Sequence, residues 1–150
     1  MKEYKIYWIK EEFARHYYYK SDILYRFLRE FHMQKNRVDL VSQFNFITES
    51  FPKDTLTLQL LRQPKNRLQN EQYIDIVDIK SKHSLISLHI EEKQIKFRCE
   101  TLQDAETLLF PALRQFHPFL FIIDDHYENY GWISPARTSI GYNNEQVLYS

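Results

Sequence analysis

Three consecutive residues, Asp124, Asp125 and His126, have side chains that could support metal binding or acid–base chemistry. Carboxylate and imidazole groups ligate divalent ions and transfer protons in enzymes. Consecutive residues at the end of a strand, however, point in divergent directions, and Asp and His are common in turns, where they bond to nearby backbone groups. The sequence has no second acidic and histidine motif that would complete a ligand set. It therefore favours a turn here, and we expect no metal ion.

Cys99 is the single cysteine, and His83 or His89 could in principle activate it as a nucleophile. A reactive thiolate needs an electropositive, partly exposed environment. In the hairpin described below, Cys99 alternates onto the same face as Ile95 and Phe97, which indicates a buried apolar side chain. The serines lack the flanking glycines of a nucleophile elbow. We therefore expect no catalytic residues and no enzymatic activity.

Glycine is scarce, because the 150 residues contain only Gly131 and Gly141. Phosphate-binding loops need glycines where the backbone approaches phosphate ahead of a helix, so we expect no nucleotide cofactor. The 20 basic and 20 acidic residues cancel, which argues against a dedicated nucleic-acid binder. The basic stretch at residues 62–67, with Lys80 and Lys82, is expected to be a solvated face.

The cysteine count and the length of the apolar runs predict the cellular compartment of the protein. One cysteine excludes an internal disulfide or a thiolate zinc cluster and is typical of a reducing compartment. Apolar runs fall short of the ~18 residues that a membrane-spanning helix needs. Residues 1–5 lead into an alternating stretch rather than the apolar region of a secretion signal. We expect a cytoplasmic protein that does not contact a membrane.

Alternating and continuous apolar stretches predict the strands. Residues 4–9 place Tyr4, Ile6 and Trp8 on one face and Lys5, Tyr7 and Ile9 on the other. A strand is also predicted over residues 73–79, and residues 84–90 and 94–99 form a hairpin through residues 91–93. Residues 119–123 are continuously apolar, which is typical of a strand covered on both faces. The chain then turns and returns through residues 130–133, where Gly131 permits a tight turn and Trp132 buries a large ring.

Helical spacing predicts three helices. Residues 21–33 begin at a cap formed by Ser21 or Asp22. Residues 38–47 form a second helix with Asp39 as its cap candidate, and the spacing displaces Gln43 and Phe46 away from the inward-facing residues. Residues 101–116 begin with a capping box of Thr101 and Asp104, and Pro111 kinks this helix or ends it early. Residues 54–68 fit a strand or a helix, and we favour a helix. The expected fold is α+β: a single compact domain over residues 1–150, with a mainly antiparallel or mixed sheet of about five to six strands packed against helices.

Aromatic residues make up 16% of the chain and are concentrated near its start. In a helical turn within residues 10–19, Phe13 and Tyr17 share one face at i and i+4, and His16 flanks them. Two interpretations remain open for these rings. They anchor the following helix in the core, or they form a protein-binding patch, because aromatic residues contribute disproportionately to binding energy at protein interfaces.

Residues 9–14 (Ile-Lys-Glu-Glu-Phe-Ala), followed by His16 and Tyr17, resemble the N-terminal signature of the sporulation inhibitor of replication family, SirA. Two later segments agree in order and in distance from the ends. These are residues 105–107 (Ala-Glu-Thr) with Phe110, and residues 130–132 (Tyr-Gly-Trp) with Pro135. The resemblance spans nearly the whole chain and is weakest over about residues 38–82.

The resemblance implies a non-enzymatic inhibitor that needs no cofactor and no DNA contact. SirA proteins bind the N-terminal domain of the replication initiator DnaA and block new rounds of replication as cells commit to sporulation. By motif, Phe13 and Tyr17 match the partner-facing positions directly, and His16 flanks them. Gln43 and Phe46 resemble the family's glutamine and aromatic contact positions, with Phe46 where a tyrosine is expected. These five residues form the predicted partner-binding site.

Two other functions remain as alternatives. A small nucleic-acid-binding domain would use Tyr4, Tyr7 and Trp8 together with residues 62–67, because single-stranded nucleic acids bind to stacking rings beside basic groups. A hydrolase would rely on Asp124, His126 and Cys99.

Overall fold

One antiparallel sheet lies at the centre of the structure, a computed structural model that describes residues 1–61, 66–69, 76–126, 128–135 and 148–149. Within these residues the sheet has seven strands in the order β2-β3-β4-β5-β1-β6-β7. The strands are β1 (Lys2–Trp8), β2 (Asn66–Gln69), β3 (Ile76–Lys80), β4 (Leu85–Ile90), β5 (Ile95–Cys99), β6 (Leu120–Asp124) and β7 (Tyr130–Trp132).

Helices cover both faces of the sheet. They are α1 (Glu11–Tyr17), α2 (Ser21–Met33), α3 (Val38–Ile47), α4 (Lys53–Leu61), α5 (Leu102–Leu108) and α6 (Phe110–Phe116). Side chains from α4, α5 and α6 pack with one face of the sheet in a first core, and side chains from α1, α2 and α3 pack against the other face in a second core. The expected α+β class, with a sheet packed against helices, is confirmed.

The sequence correctly assigns the two faces of β1. Tyr4 and Ile6 are buried in the first core, whereas Tyr7 and Ile9 are buried in the second. Trp8 packs on the first core at partial exposure, as the alternation predicts. Because the period of a strand is two, each core receives every second side chain.

Local signals also place the break between α5 and α6. The Thr101 side chain accepts a hydrogen bond from the Asp104 backbone, and the Asp104 side chain accepts one from the Thr101 backbone, so the capping box is confirmed. Helix α5 ends at Leu108, and Pro111 lies three residues later, in the first turn of α6. Proline is tolerated in a first turn because the backbone N–H groups there have no partner within the helix. The expected early helix end is therefore confirmed.

Some boundary predictions are wrong. Neither Ser21 nor Asp22 caps α2, because the helix begins at Ser21 with Lys20 as its uncapped N-cap residue. Asp39 does not cap α3 but lies in its first turn, where it pairs with Arg37. The helix favoured over residues 54–68 is confirmed for α4, but residues 66–69 form a strand paired with β3. Residues 73–75 of the predicted strand lie outside the described residues.

Gly131 lies within β7 and not in a turn, so its predicted role is wrong. A Cβ atom at this position would lie 2.9 Å from the Leu148 Cβ and 2.9 Å from the Tyr149 carbonyl oxygen. Tyr149 donates a backbone hydrogen bond of 2.8 Å to the Trp132 carbonyl. The glycine is therefore needed because residues 148–149 approach the strand closely.

We expect Gly131→Ala to lower the free energy of unfolding by about 1–3 kcal/mol, the usual cost of an added methyl group in a tightly packed site. Denaturant unfolding measures this change. Lys80→Ala, at an exposed strand end, is the control and should stay within about 0.5 kcal/mol of the unsubstituted protein. Equal stability of Gly131→Ala and the unsubstituted protein would show that the close approach does not constrain this position.

Candidate protein-binding surface

The structure brings two of the predicted site residues into direct contact across two helices. Phe13 of α1 and Phe46 of α3 meet edge to face, with ring centroids 5.3 Å apart and ring planes at 65°. The Phe46 side chain is 62% exposed, and Phe13 is half-buried. An exposed phenylalanine loses the free energy that burial would give it, so this ring pair offers apolar area to a partner.

The other three predicted residues lie on the same two helices. The His16 ring is exposed and contacts the half-buried Tyr17 ring edge to face, with centroids 4.7 Å apart. Gln43 is exposed on α3, one turn before Phe46, and does not join either ring pair. We call these five residues, Phe13, His16, Tyr17, Gln43 and Phe46, the α1–α3 patch.

Buried residues on the inner sides of α1 and α3 hold the two helices against the sheet. Ala14 of α1 is fully buried, and Phe44 and Ile47 of α3 are nearly so. The helical period then turns Phe13 and Tyr17 partly outward, and turns Gln43 and Phe46 away from Phe44 and Ile47. The prediction that Gln43 and Phe46 point away from the buried side of their helix is confirmed.

Backbone hydrogen bonds hold the end of α3 beside the start of α1. The Lys10 N–H donates to the Ile47 carbonyl at 2.9 Å, and the Glu49 N–H donates to the Trp8 carbonyl at 2.8 Å. Ile9 and Thr48 form an antiparallel bridge between these two bonds. The two halves of the patch therefore meet at one place, although they are distant in sequence.

Lys10 lies within the N-terminal motif but was not among the predicted site residues, and its side chain adds a charge to the patch. The Lys10 ammonium lies over the Phe46 ring, with Nζ 5.3 Å from the ring centroid. A cation at this distance is attracted to the negative face of an aromatic ring. Sequence spacing carries no signal for this contact, because Lys10 and Phe46 come together only through the tertiary fold.

Tyr18, the ring that follows Tyr17 in the chain, has partners in the core. Its ring stacks on Trp132, with centroids 5.3 Å apart, and its hydroxyl donates to the Ser134 carbonyl at 2.7 Å. The Trp132 Nε1 donates in turn to the Tyr18 carbonyl at 3.2 Å. Burial raises the pKa of Tyr18. Tyr18 thus anchors this segment in the core. Phe13 and Tyr17 are likewise partly buried against the second core, so their rings combine core packing with partial exposure.

Cys99 and Asp124, two of the residues considered for catalysis, are both buried. Cys99 is fully buried, and burial raises the pKa of its thiol to about 11, which keeps it protonated. Asp124 is buried and accepts hydrogen bonds from the backbone of Glu128 at 2.8 Å and of Asn129 at 3.0 Å. The turn interpretation is therefore confirmed for Asp124.

Asp125 and His126 are exposed within that turn. Across the part of the chain that the structure describes, His, Cys, Asp and Glu side chains do not come together in groups of three or more that could hold a metal ion. In the same residues, no helix has the length and apolar character needed to cross a membrane.

Two of the three stacking rings proposed for the nucleic-acid alternative are buried. Tyr4 is 3% exposed and Tyr7 is fully buried, so their predicted use as stacking platforms is wrong. Their burial follows from the central position of β1, which has helices on both faces. Trp8 packs against Phe51 and Phe116. Residues 62–65 of the basic stretch lie outside the described residues.

Taken together, the fold and the site define an α+β protein whose candidate site is an exposed aromatic surface on two helices. Residues 2–137 match the family described as sporulation inhibitor of replication protein SirA, and the chain belongs to this family. A curated relative is the sporulation inhibitor of replication protein SirA of Bacillus subtilis (strain 168). It is 25% identical over 142 residues, which cover 91% of this chain and 95% of the relative. The resemblance noted from the N-terminal motif is confirmed.

His32 of α2 contacts Tyr7 of the second core. The Tyr7 hydroxyl hydrogen-bonds to the His32 Nε2, and the His32 Nδ1 is buried without a partner in the described residues. Burial, together with the positive charges of Lys5, Lys35 and Lys96, lowers the pKa of His32 to about 4. The native state therefore holds a neutral imidazole near neutral pH.

We expect this histidine to destabilise the fold on acidification. An unfolded histidine takes up its proton at a pKa of about 6.5, so the unfolded state binds a proton before the native state does. The contribution of His32 to stability is complete above this value and is lost as pH falls toward about 4. In denaturant unfolding across this range, His32→Gln should lose less stability than the unsubstituted protein, and the exposed His126→Gln should follow the unsubstituted protein. Parallel curves for all three would contradict this assignment.

Proposed function

We propose that this protein inhibits the initiation of chromosome replication during sporulation by binding the N-terminal domain of DnaA through the α1–α3 patch. The observation that carries the proposal is the exposed Phe46 ring in contact with Phe13, on two helices whose ends are joined by backbone hydrogen bonds. Membership in the SirA family supports the biological setting, because the Bacillus subtilis relative is named an inhibitor of replication.

The composition of the patch suits a protein interface. Aromatic rings on well-packed supports contribute the largest share of binding energy in many complexes, and a neighbouring polar group such as the Gln43 amide adds directionality. The rings need little rearrangement to bind, because Ala14 and Phe44 hold their helices in the core. An interface of standard size buries about 1,200–2,000 Å² in total, and this patch would form its centre.

The mechanism that we propose is occlusion. A protein bound to the N-terminal domain of DnaA would cover the surface that this domain uses in assembly at the origin and in helicase recruitment. No cofactor or covalent step is involved, so inhibition would follow the concentration of this protein relative to DnaA and their dissociation constant. Such an inhibitor would act in the cytoplasm, and its own contact with DNA is not required.

Truncating the exposed ring tests this function. We expect Phe46→Ala to weaken binding to the N-terminal domain of DnaA from the same organism by about thirtyfold, the loss typical of a central aromatic residue. Calorimetric titration measures the dissociation constant, and Phe13→Ala should have an effect of the same order. Near-ultraviolet circular dichroism shows whether each variant keeps its packing.

Leu58 provides a matched control for this experiment. It is 60% exposed, close to the exposure of Phe46, but it lies on α4, which packs on the opposite face of the sheet. Leu58→Ala should bind like the unsubstituted protein. The proposal is overturned if the unsubstituted protein does not bind the DnaA domain, or if Phe46→Ala binds as tightly as Leu58→Ala does.

A further inference from the structure

Lys10 occupies a defined place at the junction of α1 and α3. Its N–H donates to the Ile47 carbonyl, and its own carbonyl accepts from Phe13 and Ala14 at 3.0 and 2.8 Å. These three bonds fix the backbone of Lys10 between the two halves of the patch. Its side chain then extends over Phe46, where the ring face attracts the ammonium group.

Within the residues that the structure describes, Lys10 has no ion-pair partner. Arg15, the next basic residue along α1, pairs with Glu11 at 2.6 Å. In contrast, no carboxylate among the residues that the structure describes lies within 4.0 Å of the Lys10 ammonium. Lys10 therefore places a positive charge, with no carboxylate in direct contact among the described residues, over the exposed Phe46 ring.

This arrangement restricts the partner surfaces that can cover the patch. A wholly apolar partner would remove water from the Lys10 ammonium without replacing its hydrogen bonds, which is unfavourable. A partner with a carboxylate at this position would instead form a charge-assisted hydrogen bond close to the buried rings. Charge complementarity of this kind selects among partners and speeds their association.

We infer that the α1–α3 patch recognises a protein surface on which a carboxylate lies beside an apolar side chain. Phe13 and Phe46 contact the apolar group, and the Lys10 ammonium binds the carboxylate. This inference rests on the proposed function and adds the chemistry that the bound surface must have. Lys10 is thus a specificity-determining residue of the interface.

The test is a titration of the unsubstituted protein and its variants with the N-terminal domain of DnaA at low and at high ionic strength. Lys10→Met keeps an unbranched stem to contact Phe46 but removes the charge. We expect it to bind about tenfold more weakly at low salt and to lose part of the salt dependence. Lys10→Arg retains a cation and should restore most of the affinity.

Two further variants make the outcome specific. Lys80→Met removes the same charge from an exposed lysine at the end of β3, and should leave affinity and salt dependence unchanged. Lys10→Gln, a second neutral substitution, should reproduce Lys10→Met, which separates the loss of charge from any repacking by methionine.

The outcomes separate this inference from the proposed function. If Phe46→Ala weakens binding but the neutral Lys10 variants retain the affinity and salt dependence of Lys80→Met, the inference about the carboxylate is wrong and the proposed function stands. If the unsubstituted protein does not bind the DnaA domain at all, both are overturned. Weaker binding with a flatter salt dependence in both neutral Lys10 variants supports the inference.

Discussion

The central position of β1 is the constraint on which the rest of this structure depends. The strand pairs with β5 on one side and with β6 on the other, so its backbone hydrogen bonds are satisfied within the sheet. Its side chains are divided between two cores: Tyr4 stacks on Phe97 in the first, with centroids 5.1 Å apart, and Tyr7 meets Phe44 edge to face in the second. A one-residue shift in register would exchange these two sets of side chains. The helices on both faces of the sheet therefore pack in cores that share side chains of this one strand.

The position of the α1–α3 patch is determined by the end of β1, where the chain leaves the sheet. The chain passes from Trp8 through Lys10 directly into α1, and the end of α3 returns to pair with the same three residues, 8–10. Rings that are far apart along the chain are thereby brought into contact. The same strand that organises the core also determines where the exposed aromatic surface lies.

The sequence predicted the features that depend only on residues close together in the chain, such as the faces of strands and helices and the ends of helices. The two faces of residues 4–9 follow from strand periodicity, and the break ahead of Pro111 follows from the missing proline N–H. The outward position of Gln43 and Phe46 follows from helix periodicity. The family motif identified the candidate residues, and the contact between Phe13 and Phe46 agrees with their grouping into one surface.

Features decided by long-range contacts were not predictable in this way. Residues 66–69 form a strand because they pair with β3, and their own pattern suits a helix equally well. The need for glycine at position 131 arises from residues 148–149, which come close only in the folded chain. The position of Lys10 over Phe46 likewise requires both helices to be in place.

The backbone bonds between residues 8–10 and residues 47–49 also have a consequence for variation of the chain. Because these bonds align the two halves of the patch, the connection between α2 and α3 can be lengthened at a small entropic cost. Insertions at residues 34–37 would leave the aromatic surface preorganised for its partner. The geometry of the aromatic surface therefore does not depend on the length of the connection between α2 and α3.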